Sequence, residues 1–479
     1  MKKISIILVT LVLVYSCTNN LENLNIDKKN ATVASGETFF TGAEKNMVDR
    51  MASINVNTNV WRQFVQQITS TTYNDEANYD IAGRKIPDGL WANIYRDVLK
   101  DLDESAKVIS ATAPIGTAGA TTQKNQLAII EVMNVYAYSV LVETFGNIPY
   151  TEALDFTNVL PKYDDGKTVY TDLIARLSAA ITKLDASGSS FGNADLIYNG
   201  DVAKWKKFAN SLKMRMGLVI IDADPALGTA AVQQGAAGAF TSNADNAIFN
   251  YLNSTPNTNP MWVDLVQSGR LDFIVAKPFV DQMNTLSDPR RAVYFDNNIS
   301  GGYVGATYGL NSSYANFSHI GPMFYESTLP HVLLDYSNVE FMKAEATERA
   351  IPGFSGAETH YNAAITASFD YYGVAGAAAY LLQPSVAYTT ATGTWQQKIG
   401  TQKWIALYNQ GFNAWTEFRR LDYPALVAPA TASASADGVV PRRFTYPIGE
   451  QTLNGDSYTS AASAVGGDKL ATKLFWDKF

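Results

Sequence analysis

The chain has 479 residues, of which 47% are hydrophobic and 17% charged, a composition typical of a globular protein with a large core. Its net charge of −8 and pI near 5.1 exclude the basic surface that nucleic-acid binding needs, so we expect no nucleic-acid partner. Aromatic residues are abundant, with 26 Tyr, 22 Phe and 8 Trp, and they supply both core mass and flat contact surfaces.

The N-terminus has the pattern of a lipoprotein signal. Two lysines precede an apolar run over 4–15, and the sequence VYSC at 14–17 resembles a bacterial lipobox, whose cysteine is acylated. Cys17 is the only cysteine, so it has no disulfide partner. We predict a signal peptide over 1–16, lipidation of Cys17, a lipid-anchored polar tether over 17–34 and a single domain over 35–479. A plain secretory signal with an incidental cysteine is the alternative.

Most later segments show helical periodicity. Apolar stripes run over 90–102, 127–141 and 205–216, and helical patterns also cover 169–184, 339–349, 359–372 and 395–412. Turns rich in Gly, Pro or Asp join these segments into pairs, which favours a mainly α fold built from helix hairpins. The stretches 290–335 and 421–466 do not fit this pattern, and the aromatic content of the first predicts a folded surface loop.

Several patterns resemble catalytic motifs without having their context. Glu143 and Glu152 flank a tight turn, which raises the hypothesis of a general acid and base. The G-x-S-x-G match at 188–192 follows a helical segment rather than a strand, as a loop does. The segment 161–168 ends like a phosphate loop but has Pro161 where glycine is required, which favours a turn that caps a helix near Thr168.

Metal sites are equally poorly supported by the sequence. The three histidines, His319, His331 and His360, lack the spacing of zinc ligands. The polar run 74–80 has oxygen ligands that suit calcium but lacks the glycine of an EF-hand loop, which favours a solvated loop. We therefore predict no catalytic residues, no bound metal and no cofactor.

Several stretches recur in a fixed order along nearly the whole chain. They are ETFGNIPYTEA at 143–153, YNGD with a following tryptophan and FANSLKMR at 198–215, DPRRAVYF at 288–295, FMKAEA at 341–346, WTEFRRLDYP at 415–424, PRRFTYP with Glu450 and Asn454 at 441–454, and GGD leading to FWD at 466–477. With the lipobox, these blocks resemble the signatures of the SusD/RagB family of outer-membrane nutrient-binding lipoproteins.

The resemblance implies a mainly α fold, in which four tetratricopeptide-like helix pairs form a scaffold with long loop-rich ligand-binding insertions. It also implies a non-catalytic lipoprotein, anchored in the outer membrane and facing the cell exterior. Such a protein binds oligosaccharides or polysaccharide and delivers them to a SusC-type TonB-dependent transporter. A peptide-binding member with the same scaffold is the alternative, and an envelope glycoside hydrolase is a further one.

The family's binding face comes from the segment after the first helices and from the loop-rich middle, which correspond here to residues 71–91 and 301–325. Aromatic rings stack on the C–H faces of sugars, and polar side chains bind the hydroxyl groups. The resemblance therefore implies ligand contacts from Tyr73, Asn74, Asp75, Asn78, Tyr79, Trp262, Tyr303, Tyr308, Asn311, Tyr314 and Phe317. For each tyrosine, partial burial with a satisfied hydroxyl group is the alternative.

Overall fold

Helices make up most of the computed structural model, which describes residues 34–479. In chain order they are α1 Gly36–Ala52, α2 Trp61–Phe64, α3 Ile86–Ala92, α4 Lys100–Ala111, α5 Gly116–Phe145, α6 Gly166–Lys183, α7 Val202–Ile220, α8 Pro225–Ala236, α9 Pro260–Trp262, α10 Lys277–Thr285, α11 Arg291–Tyr294, α12 Tyr336–Glu348, α13 Ala357–Tyr371, α14 Ala377–Leu381, α15 Trp395–Ala406, α16 Gly411–Leu421, α17 Ile448–Leu453 and α18 Gly455–Ala464. The predicted signal peptide and the lipidation of Cys17 lie outside the described residues.

Neighbouring helices pack as pairs: α1 with α4, α5 with α6, α7 with α8, and α12 with α13. Helices α7 and α8 approach each other closely because α8 has a glycine, which lacks a side chain, where it contacts α7. A Cβ added at Gly228 would lie 2.5 Å from the Cα of Ile221, just after α7. The predicted mainly α fold with a tetratricopeptide-like helix-pair scaffold is confirmed.

The longest helix, α5, is the central core helix. By length and composition it is apolar enough to cross a membrane, but 83% of its most apolar window is buried inside the protein, as in the core helix of a globular domain. It ends at Phe145 because Gly146 adopts a φ of +89°, a left-handed conformation that favours glycine. The signature turn that follows is therefore the end of a buried helix.

Helix boundaries differ from the sequence pattern in two places. The stripe over 90–102 spans α3, a π-helical turn Asn93–Leu99 and the start of α4. The pattern over 395–412 is broken between α15 and α16. The turn before α6 is as predicted, because the side chain of Asp165 accepts a hydrogen bond from the backbone N–H of Thr168 at 2.9 Å. The G-x-S-x-G match lies in a loop, where Ser190 Oγ donates to the carbonyl of Gly200 at 2.9 Å.

Four short strands form two antiparallel pairs within the described part of the chain. They are β1 Ile68–Ser70, β2 Ala247–Phe249, β3 Phe273–Val275 and β4 His331–Leu334. In the first pair, β1 lies beside β3 with Ile68 opposite Val275 and Ser70 opposite Phe273. In the second, β2 lies beside β4. The β1–β3 pair positions the candidate site.

Candidate ligand-binding site

The site is built where the β1–β3 pair opens out. Beyond the strands, the two segments of the chain continue side by side. The backbone N–H of Thr71 donates to the carbonyl of Asp272 at 2.8 Å, and the Thr71 hydroxyl group donates to the carbonyl of Leu271 at 2.8 Å. Tyr73 follows β1 by three residues and Arg270 precedes β3 by three, so antiparallel pairing brings the two together.

Tyr73 is the exposed aromatic side chain of this site. Its side chain is 59% exposed, and guanidinium carbons of Arg84 and Arg270 lie 5.9 Å and 5.5 Å from the ring centroid. Such cation–π contacts hold a ring in place without burying it. Tyr73 also has a φ of +56°, a left-handed conformation that is costly for a residue with a side chain and concentrates at functional sites.

A cavity of about 370 Å³ opens beside this ring. Its volume lies within the range of small-ligand sites. It is lined by Asn55, Val56, Asn57, Ser70, Thr72, Tyr73, Arg84, Asp264, Ser268, Arg270, Asp272 and Phe273. The lining combines an aromatic ring, apolar side chains and groups that both donate and accept hydrogen bonds. We call it the Tyr73 cavity.

Charged groups in the cavity are arranged in pairs, with one exception. Arg84 Nε forms an ion pair with the buried carboxylate of Glu76, and Arg270 Nε donates to Asp272. Asp264 instead accepts a hydrogen bond from Asn55 Nδ2 at 2.8 Å. Burial raises the pKa of Asp264 to about 6, and the nearby charge of Asp272 adds to this. The cavity therefore contains an acceptor that lacks a cationic partner.

The structure brings the two predicted binding segments together. The side-chain amides of Asn74 and Asn311 meet at 2.6 Å, and Asn78 Nδ2 donates to the carbonyl of Gly309 at 2.8 Å. The backbone N–H of Ser312 donates to the carbonyl of Thr71 at 3.0 Å. Asp75 is exposed and lies 3.7 Å from Arg84. Ligand contacts from these side chains remain a prediction.

Two predicted contact residues are core residues instead. The side chains of Tyr79 and Tyr308 are 0% and 7% exposed. Tyr308 donates its hydroxyl hydrogen to the carbonyl of Gln63 at 2.7 Å, and the Tyr79 hydroxyl accepts from Gln66 at 3.2 Å. The prediction that their rings stack on a ligand is wrong, because both residues are buried in the core and both hydroxyl groups already have partners.

Trp262 and Tyr303 are half-buried and lie outside the cavity lining. The short helix α9, which ends at Trp262, packs beside the 3₁₀-helix Pro322–Tyr325. The ring of Tyr303 lies 5.7 Å from the guanidinium carbon of Arg291 and 5.7 Å from the ring of Phe295. Ligand contacts from Trp262 and Tyr303 stay a prediction.

Tyr314 and Phe317 lie on the same loop and are also half-buried. The Tyr314 hydroxyl lies 2.9 Å from that of Tyr325, and its ring stacks on His319 with centroids 3.8 Å apart. The carbonyl of Phe317 accepts a hydrogen bond from Asn298 at 3.0 Å. Neither residue lines the Tyr73 cavity, so the predicted contacts do not form one continuous platform around it.

Apart from Tyr73, none of the residues that line the cavity was among the predicted contacts; the polar ones that define its chemistry include Asn55, Arg84, Asp264 and Arg270. Arg84 lies within the predicted segment 71–91, and its charge among aromatic and amide residues was an available signal. Asp264 and Arg270 had none, because a strand pairing across about 200 residues leaves no local pattern. Between residues 34 and 479, no three His, Cys, Asp or Glu side chains gather as metal ligands.

Comparisons with known proteins agree with this architecture. The profile of a SusD-like family, described as starch-binding and associating with the outer membrane, matches residues 28–447. A chitin-binding protein of known structure is similar at 26% identity and a TM-score of 0.78, over 93% of this chain and 100% of its own. A SusD homologue from Bacteroides uniformis is similar at 25% identity and a TM-score of 0.77, over 92% and 99%.

A chitin-binding SusD homologue from Flavobacterium johnsoniae, at 24% identity and a TM-score of 0.77 over 92% of this chain and 98% of its own, supports the fold alone. A comparison with curated proteins gave no match. The family profile spans most of the chain. The chain belongs to the SusD/RagB family.

Proposed function

We propose that this chain binds glycans in the Tyr73 cavity. The observation that carries the proposal is the exposed ring of Tyr73, which lies beside a polar cavity and makes cation–π contacts with Arg84 and Arg270. Sugar rings present flat C–H faces that stack on such a ring, and their hydroxyl groups need both donors and acceptors. The family description and the chitin-binding protein at 26% identity support an oligosaccharide or polysaccharide as the ligand.

We further propose that the protein is a lipoprotein of the outer membrane that faces the exterior. Residues 1–16 would be removed, Cys17 lipidated, and residues 17–34 would tether the domain over 35–479. The resemblance supports delivery of the glycan to a SusC-type TonB-dependent transporter. Labelling with a fatty-acid analogue tests the anchor, because Cys17→Ala should abolish it. Co-purification from outer membranes tests the partner.

Affinity electrophoresis tests glycan binding directly. The protein is run through native gels that contain soluble starch, glycol chitin or no polysaccharide, with serum albumin as a control. We expect retardation by one of the polysaccharides. An unchanged mobility in every gel, together with heat released on titration of a peptide mixture, would contradict this proposal and favour the peptide-binding alternative.

A glycoside hydrolase is the second candidate, and one observation favours it. Asp264 and Asp272 line the same cavity, and burial raises the pKa of Asp264 to about 6, as in a general acid. However, Arg270 already holds Asp272. We therefore propose that the chain is not an enzyme. Incubation with chitohexaose and with maltohexaose, followed by chromatography, should give no shorter sugars, and their appearance would establish the second candidate.

A further inference from the structure

The arginines of the Tyr73 cavity have no spare positive charge. Arg84 is paired with Glu76, whose side chain is buried, and Arg270 is paired with Asp272. Asp75 also lies 3.7 Å from Arg84. With Asp264, four carboxylates therefore lie around two guanidinium groups, and two of them, Asp264 and Asp272, line the cavity. An anionic ligand would have to break one of these pairs and would lie close to a further negative charge, which disfavours its binding.

Asp264 is the unpaired member of this group. Within the described range 34–479, no lysine or arginine nitrogen lies within ion-pair distance of its carboxylate, and Asn55 Nδ2 donates to Oδ1 at 2.8 Å. The residue lies on the π-helical turn Val263–Gln267, a local distortion that is frequent at functional sites. A half-buried carboxylate with one hydrogen bond has acceptor capacity left for a ligand.

We infer that Asp264 accepts a hydrogen bond from the bound glycan, and that the Tyr73 cavity therefore selects an uncharged glycan over an anionic one. The inference rests on the proposed glycan-binding function. It adds whether the ligand is charged or neutral, and it names Asp264 as the residue that distinguishes the two. Hydroxyl or acetamido N–H groups of a neutral sugar are donors that suit this carboxylate, while the Tyr73 ring supports the sugar face.

The same geometry makes binding depend on pH. The charged groups that share the cavity with Asp264 are Asp272, Arg270 and Arg84. Since the pKa of Asp264 is about 6 without ligand, its carboxylate is ionised above that value and protonated below it. A ligand that donates to the carboxylate prefers the ionised form, so affinity is highest above about pH 6 and decreases as the pH falls below it.

Calorimetry on the full chain tests this inference. The probes are chitohexaose and maltohexaose, which are neutral, and hexagalacturonate, which is anionic. The variants are Asp264→Asn and, as a matched control, Asp281→Asn, which removes an exposed carboxylate paired with Lys277. We expect the wild type to bind one neutral probe at least about tenfold more tightly than hexagalacturonate.

Asp264→Asn should weaken that binding by about tenfold and remove its dependence on pH between about 5 and 7.5, while Asp281→Asn matches the wild type.

The outcomes separate this inference from the function on which it rests. If a neutral probe binds the wild type and Asp264→Asn equally well, or with the same pH profile, the role of Asp264 is overturned and glycan binding stands. Tighter binding of hexagalacturonate overturns the charge selectivity in the same way. If none of the three probes binds the wild type, the proposed function itself is contradicted. Circular dichroism of both variants should match the wild type, because an amide keeps the shape of the side chain.

Discussion

Glu143 and Arg215 form a bidentate ion pair that is closed to solvent. Nη1 and Nη2 of Arg215 donate to Oε1 and Oε2 of Glu143 at 2.8 Å and 2.6 Å, and the two side chains are 1% and 0% exposed. Tyr170 donates to Oε1 at 2.8 Å and Thr416 to Oε2 at 3.2 Å. The carboxylate thus joins α5 to α6, α7 and α16, and both of its oxygens are occupied.

Glu152, the other acid of that turn, is held differently. It accepts hydrogen bonds from the backbone N–H of Lys162 and from Asn158 Nδ2, both at 3.0 Å. One acid is therefore buried in an ion pair and the other fixes a surface loop, so they do not form an acid–base pair around a substrate. The signature block belongs to the scaffold of this protein, and the site that we propose at Tyr73 lies elsewhere.

Replacing the buried acid should destabilise the fold without altering ligand recognition. Glu143→Gln leaves Arg215 buried without a counter-charge, and breaking a pair of this kind costs about 3–5 kcal/mol. Urea unfolding followed by circular dichroism should show a loss of this size. Glycan affinity of the folded variant should equal that of the wild type, and an affinity loss at unchanged stability would give Glu143 a functional role instead.

The two buried tyrosines should behave as core residues. Tyr308→Phe removes the donor to the Gln63 carbonyl, which lowers the free energy of unfolding by about 1–2 kcal/mol. Thermal unfolding measures this change, and calorimetry with the best-bound polysaccharide fragment should show unaltered affinity. Weaker binding at full stability would restore Tyr308 to the ligand-binding set.

A buried charge cluster should set the acid stability of the protein. Glu417 pairs with Lys403 at 2.8 Å and with Arg420 at 2.5 Å, and Arg420 also binds Glu345. Burial alone would raise the pKa of Glu417, but Arg420 and Lys403 outweigh it and lower the pKa to about 2. Because this pKa lies below the ordinary value of 4.5, the stabilisation is complete above pH 4.5 and is lost as the pH falls towards 2.

Glu417→Gln should therefore be less stable than the wild type at neutral pH, by about 3–5 kcal/mol. The difference should shrink as the pH decreases from 4.5 to about 2, since the wild-type carboxylate is protonated over that interval. Urea titrations at a series of pH values measure both curves. Parallel curves across that interval would show that Glu417 is not the titrating group.

The helical scaffold was predictable because its signal is local. Residues such as Trp205, Phe208 and Leu212 repeat at helical spacing and are all buried in α7. The strands were not predicted, since each has only three or four residues and forms by pairing with a segment that is distant in sequence. The local sequence pattern therefore predicted the helices of the scaffold but not the strand pair that positions the candidate site.

The charged residues show the same limit. Arg420 pairs with Glu417, which lies three residues earlier on the same helix. Arg443, by contrast, binds Asp468, 25 residues further along the chain, at 2.7 Å. Arg419 lies over the ring of Trp415, with its guanidinium carbon 3.4 Å from the centroid. Closeness in sequence identifies an ion pair within one helical turn, whereas partners from separate elements depend on tertiary packing.

The most direct test of glycan binding in the Tyr73 cavity is calorimetry on two ring-removing variants. Tyr73→Ala removes the exposed ring of the cavity, and Phe156→Ala is the matched control. The Phe156 side chain is 79% exposed, has Lys100 Nζ 4.6 Å from its ring centroid, and lies outside the cavity lining. We expect Tyr73→Ala to weaken binding of the preferred oligosaccharide by at least about tenfold, while Phe156→Ala binds as the wild type does. Unchanged affinity in Tyr73→Ala, or an equal loss in both variants, would contradict a binding site at Tyr73.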